Sequence, residues 1–224
     1  MTPLLARFAQ RVPIPRQALA LLRAFRPTAA TLTRQNTLDA YDSVYDSDRM
    51  LGEYLSPERL AFFDELASIL APLAPKSILD VGCGTGHLLG VLADRMDPGP
   101  TRIVGVDHSA AGIQRARALL PGATWLVDDL YSLSLKGEPF DLVLCTEVLE
   151  HLDEPERAVH VLRAHCAPGG RVVVTVPDGA TDSWEDHVNF WDEAELRRFL
   201  EPLGLVSLDR IQGGDVLLAW LRPS

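Results

Sequence analysis

Residues 78–95 read ILDVGCGTGHLLGVLADR: an apolar run, three glycines at alternate positions, and then leucines at helical spacing. Gly82, Gly84 and Gly86 can take tight dihedrals, and no Cβ stands between the chain and a ligand, so the strand-to-helix turn reads as a binding loop. The dinucleotide fingerprint GxGxxG brings a pyrophosphate against such a turn. Here the spacing is GxGxG, and His87 stands where the third glycine would fall. Taken alone, the loop is equally a tight structural turn.

Beyond it, apolar β-type runs alternate with helical patterns. SILDV (77–81), RIVGVD (102–107), TWLV (124–127), DLVLC (141–145) and RVVVTV (171–176) read as strands. Helices are expected from the loop to about Met96, from Ser109 to about Leu120, and after Pro155. Strands apolar throughout, joined by helix-length connections, predict an α/β fold with a mostly parallel sheet covered on both faces. Before the first strand, Ser56 as N-cap and Pro57 at the first helical position open a helix with Leu60, Phe63, Leu66, Ala67 and Leu70 on one face. Asp192 and Glu195 form a capping-box pattern for a helix to about Leu203. Apolar segments at 205–211 and 216–221, joined through Gly213, Gly214 and Asp215, predict a closing hairpin.

Acids recur at the carboxyl ends of the first three strands: Asp80 just before the glycines, Asp107, and the pair Asp128 and Asp129. Open α/β sheets bind ligands at that edge, and a carboxylate there can accept hydrogen bonds from both vicinal hydroxyls of a ribose. The pattern points to a nucleoside.

LDVGCGTG, GVDHS, VDDL and FDLVLCTEVLEHL together resemble the class I S-adenosylmethionine-dependent methyltransferases, from about residue 75 to 221. The resemblance implies a Rossmann-like sheet of seven strands, with helices on both faces and a C-terminal antiparallel hairpin. It implies S-adenosylmethionine as cofactor, with Asp80, Gly82, Gly84 and Gly86 round its methionyl and ribose part. Asp107 would hold the ribose hydroxyls, and Asp129 with the backbone of Leu130 would meet the adenine; Asp128 matches that position less well. Cys83, His108 and Cys145 complete the expected cofactor-binding set. The three cysteines, Cys83, Cys145 and Cys166, lack paired spacing and read as reduced, buried thiols.

TEVLEH places Glu147, Glu150 and His151 directly after the fourth strand, where the methyl group should lie. In a helix the two glutamates share a face at i, i+3, and His151 joins Glu147 at i, i+4. Two carboxylates and an imidazole suit a divalent cation, and His187 in DHVNFW could complete the set or act as a base. A similar ExxEH occurs in the ubiquinone-biosynthesis O-methyltransferases, and in small-RNA 3′-end 2′-O-methyltransferases that bind metal through it and a later histidine. That likeness implies Glu147, Glu150, His151 and His187 as ligands of Mg²⁺ or another divalent cation. Many small-molecule methyltransferases carry nearly the same segment with no known metal. His151 and His187 are the candidate catalytic bases. Phe190 and Trp191 read as packing residues, Tyr41, Tyr45 and Tyr54 as either a cofactor lid or helix packing, and His87 as a polar loop residue.

Composition sets the wider bounds. The 224 residues are 47% hydrophobic, enough for a substantial core. The net charge of −10 divides unevenly: residues 1–38 hold six arginines and no acid, so the remainder carries −16. The expected organisation is a basic arm (1–38), a helical segment (39–75) and a methyltransferase domain (76–224). An acidic body argues against broad contact with nucleic acid, and no apolar run is long enough to span a bilayer. The chain reads as a cytoplasmic enzyme that methylates a small-molecule acceptor, most readily a hydroxyl oxygen. Its alternatives are RNA 2′-O-methylation, with phosphate contacts from the arm, and a non-catalytic cofactor-binding partner protein.

Overall fold

The computed structural model describes residues 38–96 and 101–224; the expected basic arm therefore falls, but for its last residue, outside the described part. Three helices lead in, α1 (Leu38–Asp46), α2 (Asp48–Tyr54) and α3 (Pro57–Leu70). Strands and helices then alternate: β1 (Ser77–Val81), α4 (His87–Arg95), β2 (Arg102–Asp107), α5 (Ala110–Leu119), β3 (Thr124–Val127) and β4 (Phe140–Thr146). After these come α6 (Pro155–Ala164), β5 (Cys166–Pro177), α7 (Glu193–Leu200), β6 (Leu205–Ile211) and β7 (Val216–Leu221).

The seven strands form one sheet in the order β3-β2-β1-β4-β5-β7-β6. Pairing is parallel from β3 to β5 and antiparallel in β5–β7 and β7–β6. Because alternate side chains leave opposite faces of a strand, each central strand feeds two cores. Ile78 and Val173 pack with Phe62, Phe63, Leu66, Leu89, Leu92 and Ile113 of α3, α4 and α5. Leu79, Val172 and Val174 pack with Val159, Leu162, Leu196 and Leu200 of α6 and α7. Burying each such leucine or valine contributes about 1.5–3 kcal/mol, which is why the strands read as unbroken apolar runs.

The expected caps are present: Ser56 Oγ accepts from Arg59 N (3.3 Å), and Asp192 and Glu195 make both bonds of the capping box. Ser109, where a helix start was expected, also caps α5, its Oγ accepting from Gly112 N (3.0 Å). The last helix is α only to Leu200, and its final turn, Glu201–Leu203, is 3₁₀.

Two local expectations are corrected. Leu60 is 44% exposed and Phe62 is buried, whereas Phe63, Leu66, Ala67 and Leu70 are buried as expected: at its first turn the inner face of α3 is set by Phe62, and Arg59 stands three and four residues before Phe62 and Phe63 on that face. The fifth strand also starts earlier than Arg171, because Cys166 already pairs with Phe140 before the register breaks across residues 167–170.

Candidate functional site

At the carboxyl edge of the sheet, Gly82 N and Cys83 N both donate to Val106 O (2.8 and 3.1 Å), tying the loop to β2. Gly82, Gly84 and Gly86 have φ of 81°, 52° and 76°, a region that favours glycine. The space freed by their missing side chains is not open. A Cβ on Gly82 would lie 2.4 Å from Val148 Cγ2, one on Gly84 3.0 Å from the Tyr45 hydroxyl, and one on Gly86 2.6 Å from Trp125 Cη2. At each of these positions a side chain would collide with the protein itself, so packing as well as backbone conformation calls for glycine.

Asp107 organises the same loop. One carboxylate oxygen accepts from Gly84 N (2.7 Å) and the other from Ser109 N (2.8 Å). A carboxylate has about four lone-pair positions, so this buried group keeps capacity for hydroxyls. Asp80 is 1% exposed and its Oδ1 has no hydrogen-bond partner among the described residues. Burial, then the nearby Asp107 charge, push Asp80 up to about 7. Asp129 accepts from Tyr131 N (2.7 Å) at the head of a 3₁₀ turn beginning at Leu130, and both Asp128 and Asp129 are exposed.

The thiols of Cys83 and Cys145 lie in the two apolar cores. His108 is exposed, and His87 pairs with Thr85 Oγ1 at 2.7 Å.

The lead-in helices lie over this edge. Asp42 accepts a short hydrogen bond from Ser109 Oγ, and Arg115 reaches Tyr45 O (3.0 Å), Asp46 O (3.1 Å) and the Asp48 carboxylate (2.6 Å). Tyr45 is buried at the Gly84 turn and meets Tyr54 edge-on at 5.4 Å. The side chain of Tyr41 lies outside the described residues. Arg59, which the sequence reading missed, is half-buried with its guanidinium 4.6 Å above the Tyr54 ring. Tyr54, Glu147, Tyr45 and Glu150 hold its pKa above the usual value against the effect of burial.

Beyond β4 the chain does not continue as the helix that would align Glu147, Glu150 and His151. Glu147 has a φ of 55°, and a single 3₁₀ turn spans Leu149–His151. Glu147 N donates to Thr175 O (3.1 Å), and its carboxylate accepts from Thr175 Oγ1 (3.0 Å), which ties it to β5. Glu150 is 1% exposed, and neither carboxylate oxygen has a hydrogen-bond partner among the described residues. Burial and then Glu147 push Glu150 well above the usual carboxylate range.

His151 Nε2 stands 3.8 Å from Glu150 Oε1, and the His151 and His187 rings meet edge-on at 4.6 Å. Burial, then His187, hold His151 down to about 4, so its imidazole is neutral at neutral pH. Ligand atoms of Glu150, His151 and His187 lie within 4.8 Å of one another. Three of the four expected metal ligands thus converge, while Glu147 is turned to Thr175.

His187 arrives on the loop 178–191, which docks by its main chain. Val188 N and Asn189 N donate to Glu150 O (2.8 and 3.0 Å), and Asn189 Nδ2 donates to Leu149 O and Leu152 O (3.1 and 2.6 Å). His187 Nδ1 pairs with Asp182 Oδ2 at 2.5 Å, a partner absent from the sequence reading. The DS following Thr181 gave no motif to mark it. Trp191 stacks on Phe199 (5.2 Å, 12°) as packing, whereas Phe190 is exposed beside His187.

A family profile described as "Methyltransferase domain" matches residues 51–209. The chain is 37% identical over 126 residues to a ubiquinone biosynthesis O-methyltransferase of Alkalilimnicola ehrlichii, covering 53% of this chain and 47% of that one. It is 30% identical over 153 residues to a trans-aconitate 2-methyltransferase of Variovorax paradoxus, covering 62% and 57%. This chain spans about half the length of these curated relatives. The crystal structure of the N-methyltransferase NodS from Bradyrhizobium japonicum WM9, in complex with S-adenosyl-L-homocysteine, has the same fold: TM-score 0.65, 22% identity, 84% of this chain and 98% of that one. With a sheet of this order, a glycine turn bound to a buried aspartate at the end of β2, and a profile match over most of its length, the chain belongs to the class I S-adenosylmethionine-dependent methyltransferases.

Proposed function

We propose that this protein transfers the methyl group of S-adenosylmethionine to a hydroxyl oxygen of a small organic acceptor. The observation that carries this reading is the cluster after β4: a buried, unsatisfied Glu150 beside His151 and His187, next to the glycine turn. The residues present suit the cofactor. Asp80 offers an unpartnered buried oxygen for its ammonium, Arg59 a guanidinium for its carboxylate, and Asp107 spare lone pairs for its ribose. Bound S-adenosylmethionine supplies a methyl group already activated on a sulfonium. The chain's own task is to hold the acceptor in line, exclude water and take the hydroxyl proton. Alignment of that kind is worth about 7–11 kcal/mol of barrier.

A hydroxyl needs a base, and His187, buttressed at Nδ1, is the better placed of the two histidines. Burial, then His187, lower His151 to about 4, which makes it a poor base at neutral pH. A mass-spectrometric screen of acceptor libraries with isotope-labelled S-adenosylmethionine tests this reading. Products methylated on nitrogen or carbon, with no O-methyl product, would sink it.

A second reading is favoured by the two orphaned oxygens of Glu150 and their convergence with the histidines: a divalent cation held by Glu150, His151 and His187. Such an ion would bind the acceptor's oxygens and lower a hydroxyl pKa. Mg²⁺ or Mn²⁺ added to chelator-treated protein should raise turnover, and Glu150→Ala should abolish the response; equal turnover in all four conditions excludes the ion. Among the described residues no helix is long and apolar enough to cross a membrane.

A further inference from the structure

We propose that Asp182 is a positioning residue for the reaction: it holds the proton of His187 on Nδ1, so that the lone pair of Nε2 is the one offered to an acceptor. This rests on the reading of His187 as the base. The 2.5 Å contact joins side chains only 12% and 10% exposed, so water competes little for either partner. Asp182 is fixed independently of the histidine. Its N–H donates to Asp178 O (2.9 Å), and its Oδ1 accepts from Trp184 N (3.1 Å), leaving Oδ2 for the ring.

Both ends of the loop are clamped as well. Asp178 N donates to Asp215 O (2.8 Å), and its carboxylate binds Arg210 (2.7 Å), which also holds Glu193 (2.9 Å) and Gly214 O (2.8 Å). At the far end, Val188 and Asn189 are bonded to Glu150 O. Between these clamps the imidazole has, among the described residues, one polar side-chain neighbour at hydrogen-bond distance, and a carboxylate only accepts. The ring nitrogen facing it must therefore carry the proton, and in a neutral imidazole the lone pair then lies on the other nitrogen. The rest of the loop does not need this bond, since its main-chain anchors lie at 178–179 and 188–189.

The test is a long-range ¹H–¹⁵N correlation spectrum of the imidazole nitrogens in the full chain, read alongside titration with S-adenosylhomocysteine. Wild type should show His187 protonated on Nδ1. Asp182→Asn, whose amide can donate to Nδ1, should move the proton to Nε2, and Asp182→Glu should restore the original pattern. With the acceptor found by the screen, kcat of Asp182→Asn should fall about 10²-fold, with S-adenosylhomocysteine affinity unchanged and partial recovery in Asp182→Glu. A wild-type ring protonated on Nε2, or an Asp182→Asn protein that keeps both tautomer and turnover, overturns the assignment. The expected tautomer pattern in all three proteins, with the turnover of Asp182→Asn equal to wild type, would instead overturn the reading of His187 as a base.

Discussion

At the β1–β2 end of the strand edge, most polar groups hold the chain itself, Asp107 on Gly84 and Ser109 and Gly82 and Cys83 on Val106, and one oxygen of Asp80 is left without a partner among the described residues. At the β4–β5 end Glu147 and His187 are paired with Thr175 and Asp182, but both oxygens of Glu150 lack a hydrogen-bond partner among the described residues, and His151 stands 3.8 Å from one of them. The first region is a turn tied to the end of β2 and packed tight by Val148, Tyr45 and Trp125. The second is assembled from segments 28 or more residues apart and positioned by a docked loop. Tight self-consistency suits a cofactor cradle that must be preformed. Unsatisfied buried groups suit a place where another molecule completes the bonding.

If that contrast is right, mutations at the two ends should fail differently. The largest effect is expected from His187→Ala: turnover about 10²–10⁴-fold lower, with S-adenosylhomocysteine affinity and urea midpoint unchanged. A parallel loss of cofactor affinity in calorimetry would merge the two regions into one. Gly86→Ala should act on folding, because a Cβ there meets Trp125 at 2.6 Å and Ala116 at 3.0 Å with φ at 76°; about 3 kcal/mol of stability should be lost in urea unfolding.

Asp80 sharpens the comparison through pH. Its folded pKa of about 7 lies above the ordinary 3.8, so between those values the folded state holds the extra proton. Stability of the free protein should therefore fall as pH rises from about 4 to 7, by at most roughly 1.4 kcal/mol per unit from this group. A bound ammonium reverses the preference, so the thermal shift caused by S-adenosylhomocysteine should grow from pH 6 to pH 8. Asp80→Asn should lose that growth. The smallest effect is expected from Arg59→Ala, about a tenfold weaker S-adenosylhomocysteine affinity, or about 1.4 kcal/mol. An adenosyl ligand lacking the carboxylate should bind both proteins alike; an equal loss for both ligands would show that Arg59 acts on packing.

Much of the fold could be read directly. Apolar runs such as SILDV and RVVVTV are short-range patterns, and the caps at Ser56, Ser109 and Asp192 are local hydrogen bonds, so neighbouring residues are enough to announce them. The β4 end was legible only as residue types. Glu147 and His151 fall at helical spacing, yet a positive φ at Glu147 and its bonds to Thr175 on β5 break the helix that spacing suggests. Arg59 was hidden because Leu60 fits the apolar periodicity better, and Asp182 because its partner lies five residues away in a loop without period.

The chain's order of apolar runs, glycines and acids by itself determined the α/β sheet, the turn after the first strand and the carboxylates along its edge, since each follows from bonding and burial among close neighbours. Which side chains fill the glycine turn, which of Glu147, Glu150, His151 and His187 meet, and what braces His187 were decided only in three dimensions. Those contacts depend on where β5, α3 and the 178–191 loop come to rest, and packing of distant segments leaves no periodic trace in a sequence.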